Sequence, residues 1–342
     1  MLQLRYKMVA SEMIRLLFSL LLLVFSDNCG AIYDQPVFLN GSYEVIPKNT
    51  IEIVYQLPPN QSIQGIVLFA HGCSHSATDW WPKSSNCGSC IGLPIERTIV
   101  EEALRNGYLA VAQNSHNRKR KCWDSADSPR TVTALQYLIA KFNLPSNINI
   151  HLFGASSGGG FVGKLALQTL RQGTIPVKIV SAVVQVMTLR IDPLRNSNQK
   201  IPGILFVHME RDVFTSEVIS EMMINKPAPM LKEIVASPLP LVDSYFYDHG
   251  KHLSKEDSRK LVHAFIEEGL VDRNTKLLKD DPRGSNWRVV ARKTLPDLIP
   301  LYDSLVADQS GISELLNVAW AMHEITDEQI VQTFEFMKSM ES

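Results

Sequence analysis

The thirteen residues from Ile148 to Gly160, reading INIHLFGASSGGG, constrain this chain more than any other segment. An apolar run, Ile148–Phe153, passes directly into Gly154-x-Ser156-x-Gly158 and then into an amphipathic stretch, Gly159–Gln172. A strand that turns into a helix over so few residues must do so through a strained turn. Side chains beside the central serine would strike the adjoining strand and helix, so glycine is demanded on both sides. Such a turn lifts the Ser156 hydroxyl to the sheet edge, next to the positive end of a helix. A phosphate-binding turn is the rival, but the chain lacks the lysine of a P-loop and the spacing of a dinucleotide fingerprint. Ser156 is therefore the candidate nucleophile.

Around this turn, short apolar runs alternate with longer amphipathic stretches. Strands are expected at Glu52–Gln56, Ile66–Ala70, Tyr108–Gln113, Ile148–Phe153, Val180–Val186, Ile204–His208 and Ser244–Tyr247. Helices are expected at Ile95–Asn106, Pro129–Lys141, Gly159–Gln172, Ser216–Ile224 and Ser254–Glu268. Near-continuous apolar strands separated by helices predict an α/β fold with a mostly parallel sheet covered on both faces. The connections are too short to hide a boundary, so residues 32–342 are expected to form one domain. From about residue 270 the pattern becomes helical, with Ile312–Met322 and Asp327–Met337 closing the chain as an extension or lid and Thr326 as a candidate N-cap.

Charge is balanced, with 34 Lys+Arg against 35 Asp+Glu, and this argues against nucleic acid as the partner. Residues 1–31 read as a secretory signal: Arg5, Lys7 and Arg15 precede the apolar run Leu16–Phe25, and Cys29-Gly30-Ala31 offers a small-residue exit. An uncleaved anchor or a later start at Met8 or Met13 are the other readings. The apolar run is short for a membrane span, so no stable span is expected after cleavage. Asn40-Gly41-Ser42 and Asn60-Gln61-Ser62 are glycosylation sequons. With Cys29 removed, Cys73, Cys87, Cys90 and Cys122 suit two disulfides in an oxidising compartment, their pairing left open. Cys87-x-x-Cys90 near His71, Cys73 and His75 also permits a metal reading, which lacks the second pair that zinc sites use.

On the elbow around Ser156 and on Ile66-Val67-Leu68-Phe69-Ala70-His71-Gly72, the chain resembles the α/β-hydrolase superfamily over most of residues 50–270, in particular plant-type secreted serine hydrolases of unassigned substrate. The resemblance implies an oxyanion hole from the backbone N–H groups of Cys73 and Ser157, with His71 a structural member of its turn. It places an acid after the strand Ile204–His208, where Asp212 matches best and Glu210 competes. The base should follow the acid in the chain. His252 is favoured, on a Gly turn before the helix from Ser254. His323 is the alternative if residues 253–310 are inserted, His249 is a third, and His263 reads as a surface residue.

These residues together predict a secreted serine hydrolase that cleaves carboxylic esters through an acyl-enzyme, without a cofactor or metal. Its expected partner is a small-molecule or cell-wall-linked ester. A serine peptidase or an acyltransferase would use the same residues, and a non-catalytic ligand-binding or receptor protein would keep the fold without the base. Trp80, Trp81 and Trp123 either line a substrate pocket or pack a cystine-stapled loop. Asp79 and Asp124 are open to a cationic group.

Overall fold

In a computed structural model, residues 37–342 are described, apart from 49, 170–174, 190–201, 226–229, 251–252, 298, 300–302 and 342. The expected signal segment and its Cys29, and also His252, lie outside the described residues. The chain divides into Met1–Phe38 and a compact unit, Leu39–Ser342, to which everything below refers.

Eight strands form one sheet: β1 Ser42–Ile46, β2 Ile51–Gln56, β3 Gly65–Ala70, β4 Tyr108–Gln113, β5 Asn149–Ala155, β6 Lys178–Gln185, β7 Gly203–Met209 and β8 Leu231–Ala236. Their spatial order is β1-β2-β4-β3-β5-β6-β7-β8. The β1–β2 and β2–β4 pairs are antiparallel, and every later pair is parallel. β3, β4 and β7 are buried along their whole length, which is why their sequences show no polar alternation. Nine α-helices are described: α1 Pro94–Arg105, α2 Asp127–Lys141, α3 Ser157–Gln168, α4 Val213–Asn225, α5 Tyr245–Gly250, α6 Lys255–Glu267, α7 Trp287–Thr294, α8 Gly311–Trp320 and α9 Ile330–Ser339. One apolar core runs from Ile51 and Ile53 through Leu68, Leu152 and Val184 to Phe206 and joins the inner faces of α2 and α3.

Two expectations need correction. Ser244–Tyr247 is not the last strand: Tyr245–Gly250 is helical, Tyr245 and Phe246 turn inward, and the Phe246 N–H donates to Ser258 Oγ at 3.1 Å. Four consecutive residues with three aromatics satisfy a strand or a helix equally, and packing on α6 decided it. The edge strand is instead Leu231–Ala236, whose mixed burial gave little apolar signal. Thr326 does not cap the last helix; Gln329 holds that position, and Thr326 is bonded to Gln185.

Candidate active site

The carboxyl ends of β3, β5, β6 and β7 converge on one edge of the sheet, where an open cleft of about 270 Å³ is lined by the turns after β3, β5 and β6, by Glu96, and by Arg283, Asp308, Asn317 and residues 323–325. At the end of β5, Ser156 sits at φ 52°, ψ −119°. A non-glycine residue held there stores roughly 1–3 kcal/mol of backbone strain. Neighbouring bonds hold it: the Ser156 N–H donates to Gln185 O at 2.9 Å, and the Gly160 N–H to Ser156 O at 3.0 Å. The steric demand read from the sequence is present. A Cβ on Gly158 would lie 2.1 Å from Ala70 O, and one on Gly154 would lie 2.5 Å from the Gly158 backbone.

Asp212 follows β7 and opens α4, and its Oδ1 accepts from the Thr215 N–H at 3.3 Å. Its Oδ2 lies 2.8 Å from His323 Nδ1, and His323 Nε2 lies 3.1 Å from Ser156 Oγ. His323 thus connects the two residues from the loop between α8 and α9. Glu210, the competing acid, is exposed. Arg211 turns away from it and lies over the Trp320 ring, 3.6 Å from the centroid. Of the other candidate bases, His249 lies in α5 with its ring centroid 4.7 Å from that of Tyr245, and His263 pairs with Asp243 on the surface.

Three residues hold the His323 loop through four hydrogen bonds. The Gln185 side chain, at the end of β6, donates to Thr326 O and accepts from the Thr326 N–H, both at 2.9 Å. Arg283 donates to His323 O at 3.1 Å, and the Arg211 N–H to Ala321 O at 3.0 Å. None of these was anticipated. The available signal was a polar Gln185 directly after the apolar run Ala182–Val184; in the fold it is 1 % exposed.

Cys73 lines the cleft beside Ser156. Ser157 is the first residue of α3, so its N–H belongs to the first turn, where a helix leaves its donors unpaired. Disulfides join Cys73 to Cys122 and Cys87 to Cys90. The first ties the Cys73 turn to the loop before α2, and the second removes the metal reading of Cys87-x-x-Cys90. His71 is buried, donates from Nδ1 to Gly72 O at 2.6 Å and accepts at Nε2 from the Ser115 N–H at 3.2 Å. Burial lowers its pKa to about 4, so it is a neutral brace of the turn. The tryptophans are core: Trp80 stacks on Phe69, Trp123 stacks on Phe161 and donates to His71 O, and Trp81 donates to Gln56. Asp79 bonds His75, and Asp124 accepts from the Ala126 N–H.

The cleft wall also carries buried charge. Burial opposes protonation of His75, but the Asp79 hydrogen bond and the fields of Glu96 and Asp79 outweigh it and hold the pKa at about 9. Burial pushes Glu96 up to about 7 and its neighbour Glu314, on α8, well above the usual carboxylate range. Two adjacent buried carboxyls cannot both ionise cheaply, so the pair keeps a proton near neutral pH.

No protein-family model and no curated protein matches this chain. Among solved structures, a thermostable esterase from Pseudomonas putida is 16% identical, with a TM-score of 0.41, over 61% of this chain and 77% of that one. A CIB-like hydrolase from Thermoplasma acidophilum is 15% identical, with a TM-score of 0.39, over 68% of this chain and 100% of that one. A dienelactone hydrolase from Anabaena variabilis is 15% identical, with a TM-score of 0.39, over 58% of this chain and 86% of that one. These likenesses are weak, and the strand order together with the strand–turn–helix at Ser156 defines the architecture without them. The chain has the α/β-hydrolase fold.

Proposed function

We propose that this protein is a serine hydrolase of carboxylic esters, in which Ser156 is the nucleophile, His323 the base and Asp212 the acid. The observation that supports this most directly is the continuous chain Ser156 Oγ–His323 Nε2 and His323 Nδ1–Asp212 Oδ2, at 3.1 and 2.8 Å, opening onto a cleft. In this reading Asp212 accepts from Nδ1–H, leaving Nε2 free to take the Ser156 hydroxyl proton as Oγ attacks the ester carbonyl. The backbone N–H groups of Cys73 and Ser157 hold the oxyanion. His323 then returns the proton to the departing alkoxide, which leaves an acyl group on Ser156. Water, deprotonated by His323, releases the acid and restores the serine.

A non-catalytic binding role loses its main support, because it required a site with no histidine in reach of Ser156. The two cystines and the sequons at Asn40 and Asn60 favour a secreted protein. No described helix is long and apolar enough to cross a membrane. Fluorophosphonate labelling of the purified protein tests the reading: the parent should label and Ser156→Ala should not. A folded parent that fails to label would remove the hydrolase assignment.

A further inference from the structure

Three non-glycine residues that line the cleft have positive backbone angles: Ser156 at φ 52°, Val186 at φ 44° and His323 at φ 46°. A β-branched residue such as Val186 rarely enters this region, and strain of this kind persists only where the surroundings hold it. The nucleophile, the wall beside it and the base are therefore set by what grips them. Gln185 has a hand in all three.

This residue ends β6, paired with Ala155 of β5 on one side and with Val207 of β7 on the other. It stands between the strand that carries Ser156 and the strand that leads to Asp212. Its carbonyl oxygen accepts the Ser156 N–H at 2.9 Å. Val186 follows directly, and the Val186 N–H donates to Val207 O at 2.8 Å. The Gln185 side chain holds both backbone groups of Thr326, the third residue beyond His323, at 2.9 Å each. An amide presents a donor and an acceptor side by side, so it pairs with Thr326 as a peptide group would. Gln185 and Thr326 are both buried, and no bulk water can stand in for either bond. Of the three residues that hold the His323 loop, Gln185 is, among the described residues, the one that also bonds Ser156.

We propose that Gln185 is a positioning residue for the reaction: its backbone sets the nucleophile, its side chain sets the base, and the two together fix the Ser156–His323 distance of 3.1 Å. The proposal rests on the serine-hydrolase reading above. Proton transfer depends steeply on that distance, since a misplacement of about 1 Å can cost on the order of 100-fold in rate. Gln185 does not line the cleft, so ester binding should be spared.

Gln185→Met tests this, because it keeps the length of the side chain and removes both bonds to Thr326. In the full chain, kcat for p-nitrophenyl acetate and the rate of fluorophosphonate labelling should each fall at least about 10-fold, with KM within about 2-fold of the parent. Ser181→Ala is the control: it removes a buried bond to His151 from the same strand, and should lower stability in urea while keeping kcat and labelling. Should Gln185→Met not fold, Gln185→Glu, which keeps an acceptor for the Thr326 N–H, should still lose kcat and labelling rate several-fold. Folded Gln185 variants that label and turn over like the parent, or that raise KM alone, overturn the proposal and leave the hydrolase reading intact. A Ser181→Ala variant that loses as much kcat as Gln185→Met also overturns it, because strand destabilisation would then account for both. A folded parent that neither labels nor cleaves the ester overturns the hydrolase reading and the proposal together.

Discussion

Among the described residues three Ser–His–carboxylate chains occur, and the distances in two of them, one in the cleft and one within the sheet, barely differ. In the cleft, Ser156, His323 and Asp212 are linked at 3.1 and 2.8 Å. Within the sheet, His151 bonds Ser181 Oγ at 2.7 Å and Glu341 at 3.1 Å, and Glu341 also accepts from the Tyr108 hydroxyl at 2.5 Å. The differences lie around the bonds. Ser181 and His151 are wholly buried inside two strands, with no approach for a substrate. There the serine is on Nδ1 and the acid on Nε2, the reverse of the cleft. Ser181 has no strained turn and no helix N-terminus to receive an oxyanion. Hydrogen-bond geometry alone does not mark a catalytic site; access, backbone strain and waiting donors do. The buried chain instead ties the end of α9 to β5 and β6, and a third set, His208 with Ser216 and Glu233, ties α4 and β8 to β7.

Single substitutions should separate the two chains most widely in activity. Ser156→Ala is expected to lower kcat for ester hydrolysis by on the order of 10⁴ or more and to abolish labelling, while Ser181→Ala still labels. Equal loss in both would show that the comparison is wrong. Asp212→Asn keeps the shape but favours the wrong His323 tautomer, so kcat should fall by about 10³–10⁴ with thermal stability nearly unchanged.

Stability should divide the regions next. Gly158→Ala forces a Cβ against Ala70 O and should cost about 3 kcal/mol or prevent folding, read by urea titration. Glu341→Gln should cost about 1 kcal/mol at pH 7 with activity retained. Its pH dependence follows from sign: the His151 hydrogen bond holds the Glu341 carboxyl below its usual range, so the stabilisation exists above that range and is lost as pH falls through the folded pKa. The deficit of Glu341→Gln should therefore shrink in acid.

The smallest effect concerns the carboxyl pair beside the cleft. Glu96, raised to about 7, binds its proton more tightly in the folded chain, so the pair's contribution to stability declines as pH rises from about 4.5 through 7. Glu314→Gln keeps an acceptor for the Ile95 N–H, now at 3.1 Å from Glu314 Oε2, and removes the second charge. Its Tm advantage over the parent should grow by about 2 °C between pH 5 and pH 8. An advantage that is the same at both pH values would show that the two carboxyls do not share a proton.

The sequence by itself determined the elements whose causes are local. The glycines around Ser156 follow from contacts within one turn, and Tyr108–Gln113 reads as a buried strand because both its faces are covered. Asp212 was legible through the resemblance to the α/β-hydrolase superfamily, which implies an acid after the strand Ile204–His208. Tertiary structure decided the rest. His323 reaches Ser156 across 167 residues; its place before the last helix made it an alternative in the sequence, but Gln185, Arg283 and Arg211 hold its loop from three separate parts of the chain. The pairing of Cys73 with Cys122 and the proximity of Glu96 to Glu314 are likewise properties of folded distance. Local sterics write themselves into adjacent residues, whereas a contact between distant segments depends on every turn and layer between them.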